Sequence, residues 1–110
     1  MQKPPVKTES YRADLLESLR DPEAAAQYLS ACLDDDDPRV FLVALRDVAD
    51  ARGGLRELSH DARLNRESLY RMLSKSGNPS LDSLAAVLNA CGLRLAIRSI
   101  TPKRGKRRVA

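Results

Sequence analysis

Two arginines, a glutamate and a tyrosine crowd one side of a short stretch, LNRESLYRML, at residues 64 to 73. Helical spacing turns Leu69, Met72 and Leu73 inward and leaves Arg66, Glu67, Tyr70, Arg71 and Ser74 on the opposite face. That face is dense in hydrogen-bond donors and acceptors. It reads either as a solvated surface stapled by the i, i+4 pair Glu67 and Arg71, worth about 0.2 to 0.5 kcal/mol, or as a surface that recognises something. The flanking elements weigh between the two.

Leu55, Leu58, Ser59 and Ala62 repeat at helical spacing just upstream and predict a helix of about two turns. A turn at Arg63 and Leu64 follows, and Asn65 is a capping residue for the next helix. Two short helices joined by a turn, with the small Ser59 at the crossing, have the sequence form of a helix-turn-helix over residues 55 to 74. In such a unit the second helix lies in the major groove of DNA.

The rest of the chain supplies the frame. Its 110 residues suit one domain with a modest core. Hydrophobic residues make up 43% and aromatic residues only 4%, so leucine, valine and alanine must fill a helical fold. Residues 1 to 10 hold Pro4 and Pro5 and read as a flexible tail. Tyr11, Leu15, Leu16 and Leu19 mark a first helix. Asp21 with Pro22 starts a second, reaching about Leu33 with Ala25, Leu29, Cys32 and Leu33 inward. Asp37 with Pro38 starts a third, with Phe41, Leu42, Leu45, Val48 and Ala49 inward, and Gly53 and Gly54 stop it near Ala51. Ser80 caps a last helix with Leu81, Leu84, Ala85, Leu88 and Cys91 inward, ended by Gly92. From 93 to 100, Leu93, Leu95, Ile97 and Ile100 mostly alternate with polar residues and predict one β-strand. A single strand needs a partner, which a symmetry mate, the N-terminal tail or another protein could supply; with a symmetry mate, Leu88, Leu93, Leu95 and Ile97 are the expected homodimer contacts. The domain should therefore span residues 11 to 100, and the basic stretch 101 to 110 reads as a tail.

Several chemistries find no support. There is no Ser, His and Asp set and no Gly-rich phosphate loop, so no catalytic site is expected. The run Asp34 to Asp37 lacks the alternating ligands and central Gly of a calcium loop and is better read as a helix boundary. Cys32, Cys91 and His60 do not make a zinc set; both cysteines are expected to be small packed residues in a reducing compartment, and His60 to be exposed. No metal or cofactor is implied. No apolar run approaches the roughly 18 to 20 residues of a membrane helix, and the first residues have no signal-peptide core, so a cytoplasmic protein is expected.

The net charge of +4 conceals an asymmetry. Residues 1 to 50 hold six basic against eleven acidic residues, net −5, and residues 51 to 110 hold thirteen against four, net +9. The basic half is the electrostatic footprint expected for nucleic acid. The acidic half suits a basic protein partner.

From Leu55 to Leu95, LRELSHDARLNRESLYRMLSKSGNPSLDSLAAVLNACGLRL resembles the Xre/Cro-type helix-turn-helix of the addiction-module antidote proteins, the HigA-like antitoxins. RESLYRMLS, GNPSLDSL and LNACGLRL carry most of the likeness, and YLSACLDDDDPRVFLVALRDVADARG extends it into the N-terminal half. Two departures stand out: Ser59 where many members have Ala, and Arg63 where many have the turn Gly. A non-Gly residue in a left-handed turn costs about 1 kcal/mol.

The resemblance implies a mainly α, lambda-repressor-like helix-turn-helix bundle with an N-terminal helical extension. It implies an antitoxin that neutralises a RelE/ParE-like toxin and, as a homodimer, represses its own operon at double-stranded operator DNA. Carried over by position, Arg66, Glu67 and Arg71 would face bases, with Ser68 and Tyr70 at the edges. Arg56, Asn65, Lys75 and Ser76 would hold phosphates. Glu67 orienting Arg71, and Tyr70 packing on its own helix, remain open beside those roles. So do two other functions: a stand-alone phage-type repressor, which has less use for residues 11 to 36, and an interaction adaptor with a decayed DNA face, which sits poorly with the net charge of the second half.

Overall fold

The computed structural model describes residues 7 to 74 and 76 to 100. Six helices follow in order: α1 (Lys7–Ser18), α2 (Pro22–Leu33), α3 (Pro38–Ala51), α4 (Gly54–Ala62), α5 (Arg66–Met72) and α6 (Leu81–Ala90). The first helix begins at Lys7, four residues earlier than expected, inside the stretch assigned to a tail.

Local chemistry explains most of the boundaries. Asp21 caps α2 by accepting from the Ala24 amide, and Asp37 caps α3 by accepting from the Arg39 amide, each with Pro as the first helical residue. The Asp37 carboxylate also takes the Arg39 guanidinium at 2.9 Å, and this hydrogen bonding holds its pKa below the ordinary carboxylate value. Asn65 caps α5 through the Glu67 and Ser68 amides, and Ser80 caps α6 through the Ser83 amide.

Two helices end in the same motif. At the end of α6, Gly92 is left-handed (φ 80°), its amide reaches Asn89 O, and the Leu93 amide reaches Leu88 O. At the end of α4 the same two bonds run from Arg63 to His60 O and from Leu64 to Ser59 O. Both are Schellman caps, which satisfy the last carbonyls. In α4 the left-handed position is occupied by Arg63, at φ 57° and ψ 44°, the one non-glycine residue with positive φ among those described. The resemblance had pointed to this residue.

The core centres on α3, whose Leu45 and Val48 are fully enclosed. α3 packs against α1, α2 and α4, and α4 in turn packs against α5 and α6. Leu19 closes the α1 side, and Leu69, Leu73, Val87 and Cys91 close the other. The apolar stripes differ from expectation at their edges. Leu81 and Leu33 are exposed, because each lies at a helix end beyond its neighbours' reach, while Val87, which was not expected inside, is fully buried. Tyr11 is exposed as well.

The C-terminal strand is not formed. Residues 93 to 100 carry no regular secondary structure, and no strand occurs among the described residues. Alternating side chains alone do not make a strand; it needs a neighbour to receive its amides and carbonyls. The amides and carbonyls of 94 to 100 have no backbone partner among the described residues. Leu88, expected at a dimer contact, is only 4% exposed and belongs to the core. Leu93 packs at the core's edge, Leu95 is partly exposed, and Ile97 and Ile100 stand in solvent.

Candidate nucleic-acid interface

α4 and α5 enclose a three-residue turn, 63 to 65, and present one continuous polar surface. Leu69 and Met72 anchor α5 in the core, so Arg66, Glu67, Ser68, Tyr70 and Arg71 all face outward. The structure thus brings together all five residues expected at bases. Glu67 and Arg71 do not pair with each other, and neither Arg66 nor Arg71 has a carboxylate partner among the described residues. The surface is therefore not the self-neutralised staple that its spacing also allowed.

The expected phosphate contacts are placed unevenly. Arg56 lies on the first turn of α4 and is exposed. Asn65 spends its side-chain oxygen on the α5 cap, leaving its amide NH2 as the group free to donate outward. Ser76 is exposed and within 3.4 Å of Ser74 Oγ. Lys75 lies outside the described residues. The loop here is tight: a Cβ at Gly77 would run into the Met72 carbonyl oxygen.

A hollow of about 340 Å³ opens where α3, α4 and α5 meet, lined by Arg46, Asp50, Gly53, Gly54, Leu55, Arg56, Arg66 and Tyr70. Gly53 precedes α4 with no capping side chain, and the amides at the start of that helix have no protein partner among the described residues. Three guanidiniums and uncapped amides border one space that also holds the Asp50 carboxylate, itself paired with Arg12 and Arg46, and the net positive lining suits a phosphate. Arg56 and Arg66 were expected in this role, but Arg46 was not. It comes from α3, and its Cζ stands 5.1 Å from the centre of the Tyr70 ring, within cation–π range. Nothing in the spacing of the sequence joins positions 46 and 70; only the packing of α3 against the later helices does.

Away from this surface, the acidic half is tied together by one arginine. Arg12 of α1 donates to Asp47 at 2.9 Å and to Asp50 at 2.8 Å, both on α3, and Tyr28 of α2 donates its hydroxyl to Asp47 at 2.9 Å. The Asp47 hydrogen bond is the largest cause raising the Arg12 pKa, and burial followed by the same carboxylate raises that of the Tyr28 phenol. No group of metal-binding side chains occurs among the described residues, and no helix there is long and apolar enough to cross a membrane.

Over residues 9–99 the chain matches the family described as probable addiction module antidote protein. It belongs to that family. The antidote is also 34% identical over 85 residues to a Haemophilus influenzae protein described as uncharacterized, across 77% of this chain and 87% of that protein. No solved structure matches it significantly. An addiction-module antidote acts against a toxin, so a toxin partner of some kind follows from the family. The match begins within α1 and ends within the segment after α6, so it takes in the acidic helices and the basic surface of the antidote together.

Proposed function

We propose that this antidote neutralises a RelE/ParE-like toxin and represses its own operon by laying α5 in the major groove of operator DNA. The observation that carries the DNA half is the basic surface: Arg66 and Arg71 face outward from α5 with no carboxylate partner among the described residues, and Arg56 and Arg66 line the hollow at the start of α4 beside Arg46. Arg66 and Arg71 have the donor geometry to read guanine, and Glu67 to accept from cytosine N4, each good pair discriminating by about 1 to 3 kcal/mol. Arg46, Arg56, Ser76 and the amides of α4 supply the phosphate contacts that fix the register.

Repression requires two copies on a two-fold operator, with recognition helices roughly 34 to 36 Å apart. The exposed Leu95, Ile97 and Ile100, beside a backbone with unused amides and carbonyls, are the surface on which we place the homodimer contact. For the toxin, the net −5 of residues 1 to 50 would steer a basic partner at encounter. A stand-alone repressor has no evident use for that negative charge, although α3 within this half also builds the core.

The test has two arms. Co-expression with the neighbouring reading frame should relieve its growth arrest and retain a small basic protein on the tagged antidote. Binding to the DNA upstream of the gene should fall as salt rises, because neutralised phosphates release counterions, and Arg66→Ala with Arg71→Ala should abolish the preference for that sequence. Unchanged sequence preference in the double variant would sink the DNA reading. Failure to retain or silence any neighbouring product would sink the assignment of the toxin.

A further inference from the structure

Among the described residues, one buried side-chain nitrogen or oxygen lacks a hydrogen-bond partner: Arg46 Nε. Asp50 Oδ1 on the next turn of α3 stands 3.5 Å away, beyond a good N–H···O distance of about 2.7 to 3.2 Å. An Asp four residues along a helix is well placed to accept from an arginine. Here it makes only a long ion pair with Arg46, and its other oxygen, Oδ2, accepts from Arg12 of α1 at 2.8 Å. Arg12 is itself fixed by a second bond, to Asp47 Oδ1 at 2.9 Å, and Asp47 is held by Tyr28. The Asp50 carboxylate therefore bridges two arginines and is bonded more closely to the one more distant in sequence.

We propose that Arg12 is a positioning residue for the basic hollow: by sharing the Asp50 carboxylate it keeps the Arg46–Asp50 ion pair long and Arg46 only partly neutralised, over Tyr70 and open to a phosphate. The alternative arrangement is close at hand. If Arg12 is withdrawn, a closure of roughly half an ångström brings Asp50 into ordinary bonding distance of Arg46 Nε. Tightening the existing pair would leave the whole Asp50 charge to Arg46, shift the guanidinium over Tyr70 and offset one of the three positive charges lining the hollow. The two arrangements share one carboxylate, so anything that captures Arg12 or displaces α1 weakens phosphate binding some distance away. By linkage, a bound phosphate favours α1 in place. A toxin that grips the acidic half at Arg12 would thereby loosen the antidote from DNA; this last consequence rests on the function proposed above, whereas the exchange at Asp50 does not.

The experiment uses the full chain and two readouts. In the free protein, NMR of the Arg46 Nε–H and of the Tyr70 ring reports the exchange directly. Arg12→Ala should shift the Arg46 Nε–H toward a carboxylate-bonded value and move the Tyr70 ring signals, and Arg12→Lys should give a smaller change. The second readout is affinity for a mixed-sequence 24-bp duplex at about 50 mM salt, where the phosphate contribution dominates. Arg12→Ala should weaken binding about fivefold, and adding Asp50→Asn should restore it, since an amide cannot neutralise Arg46. Arg20→Ala, which removes the same charge from a residue that pairs with Glu17, should have far less effect.

Unmoved Arg46 and Tyr70 signals in a folded Arg12→Ala protein would overturn the proposal. So would an Asp50→Asn effect of equal size with and without Arg12. Should Arg12→Ala fail to fold, Arg12→Lys and Asp50→Asn carry the same comparison. A wild-type chain that binds no duplex would refute the DNA reading, and the NMR result would still decide the role of Arg12.

Discussion

Arg63 offers a direct measure of what one turn costs this fold. Its backbone at φ 57° and ψ 44° is forced by the two Schellman bonds, from its own amide to His60 O at 3.3 Å and from the Leu64 amide to Ser59 O at 3.0 Å. A side chain in that region crowds its own carbonyl, at about 1 to 2 kcal/mol. Glycine removes the crowding but adds roughly 0.5 to 1 kcal/mol of backbone freedom to the unfolded chain. The net expectation for Arg63→Gly is a gain of about 0.5 to 1 kcal/mol. Arg63 is exposed and without an ion-pair partner among the described residues, so little else is lost. Arg63→Ala keeps the crowding and should be near neutral, which isolates the backbone contribution. In urea, with a slope of about 1 to 1.5 kcal/mol/M for a chain of this size, the glycine variant's midpoint should lie about 0.5 M above that of the alanine variant, at unchanged slope. A glycine midpoint equal to or below the alanine one would refute the reasoning, and would mean that α4 does not hold Arg63 left-handed in solution.

Gly77→Ala should destabilise the fold by about 1 to 3 kcal/mol, read as a lower urea midpoint, because the new methyl meets the Met72 carbonyl rather than a movable side chain. Tyr28→Phe should cost about 1 kcal/mol at neutral pH, since Asp47 loses one donor and retains Arg12. The Tyr28 pKa is raised in the folded state, first by burial and then by Asp47, so its contribution is complete below about pH 10 and is lost as pH rises beyond it. Stability measured between pH 9 and 11 should therefore fall more steeply in the wild type than in Tyr28→Phe. Burial raises the pKa of both thiols, but Cys91 is enclosed and Cys32 only half-buried. A thiol reagent should modify Cys32 readily and Cys91 at the rate of unfolding, as mass mapping over time would show.

Where a boundary depends on neighbours in the chain, the sequence was enough to find it. Asp21 with Pro22, Asp37 with Pro38, Asn65, Ser80 and Gly92 each act within four residues, and each helix starts or stops where they indicate. Arg63 was legible only through the family resemblance, as a residue standing where many members have glycine. Periodicity located inward faces well at their centres, as at Leu45 and Val48, and poorly at helix ends, as at Leu33 and Leu81, where burial depends on what the adjacent helix covers. The alternation of 93 to 100 misled because it describes side chains, whereas a strand is defined by backbone bonds to another segment. Arg46 and Arg12 were missed for a related reason. Arg12 meets its carboxylates 35 and 38 residues away, and no local pattern encodes such a meeting.

The central position of α3 bears on how long the antidote lasts. Because α3 packs against α1 and α2 on one side and α4 on the other, the acidic and basic halves share one core and cannot melt as separate units. A ligand that binds only the folded chain, on either half, therefore protects all of it. At a concentration one hundred times its dissociation constant, such a ligand adds about 2.7 kcal/mol to global stability, lowering the unfolded population about a hundredfold. Proteolysis that proceeds through the unfolded chain would slow in proportion. Turnover of α5 would then depend on occupancy of a surface elsewhere on the molecule.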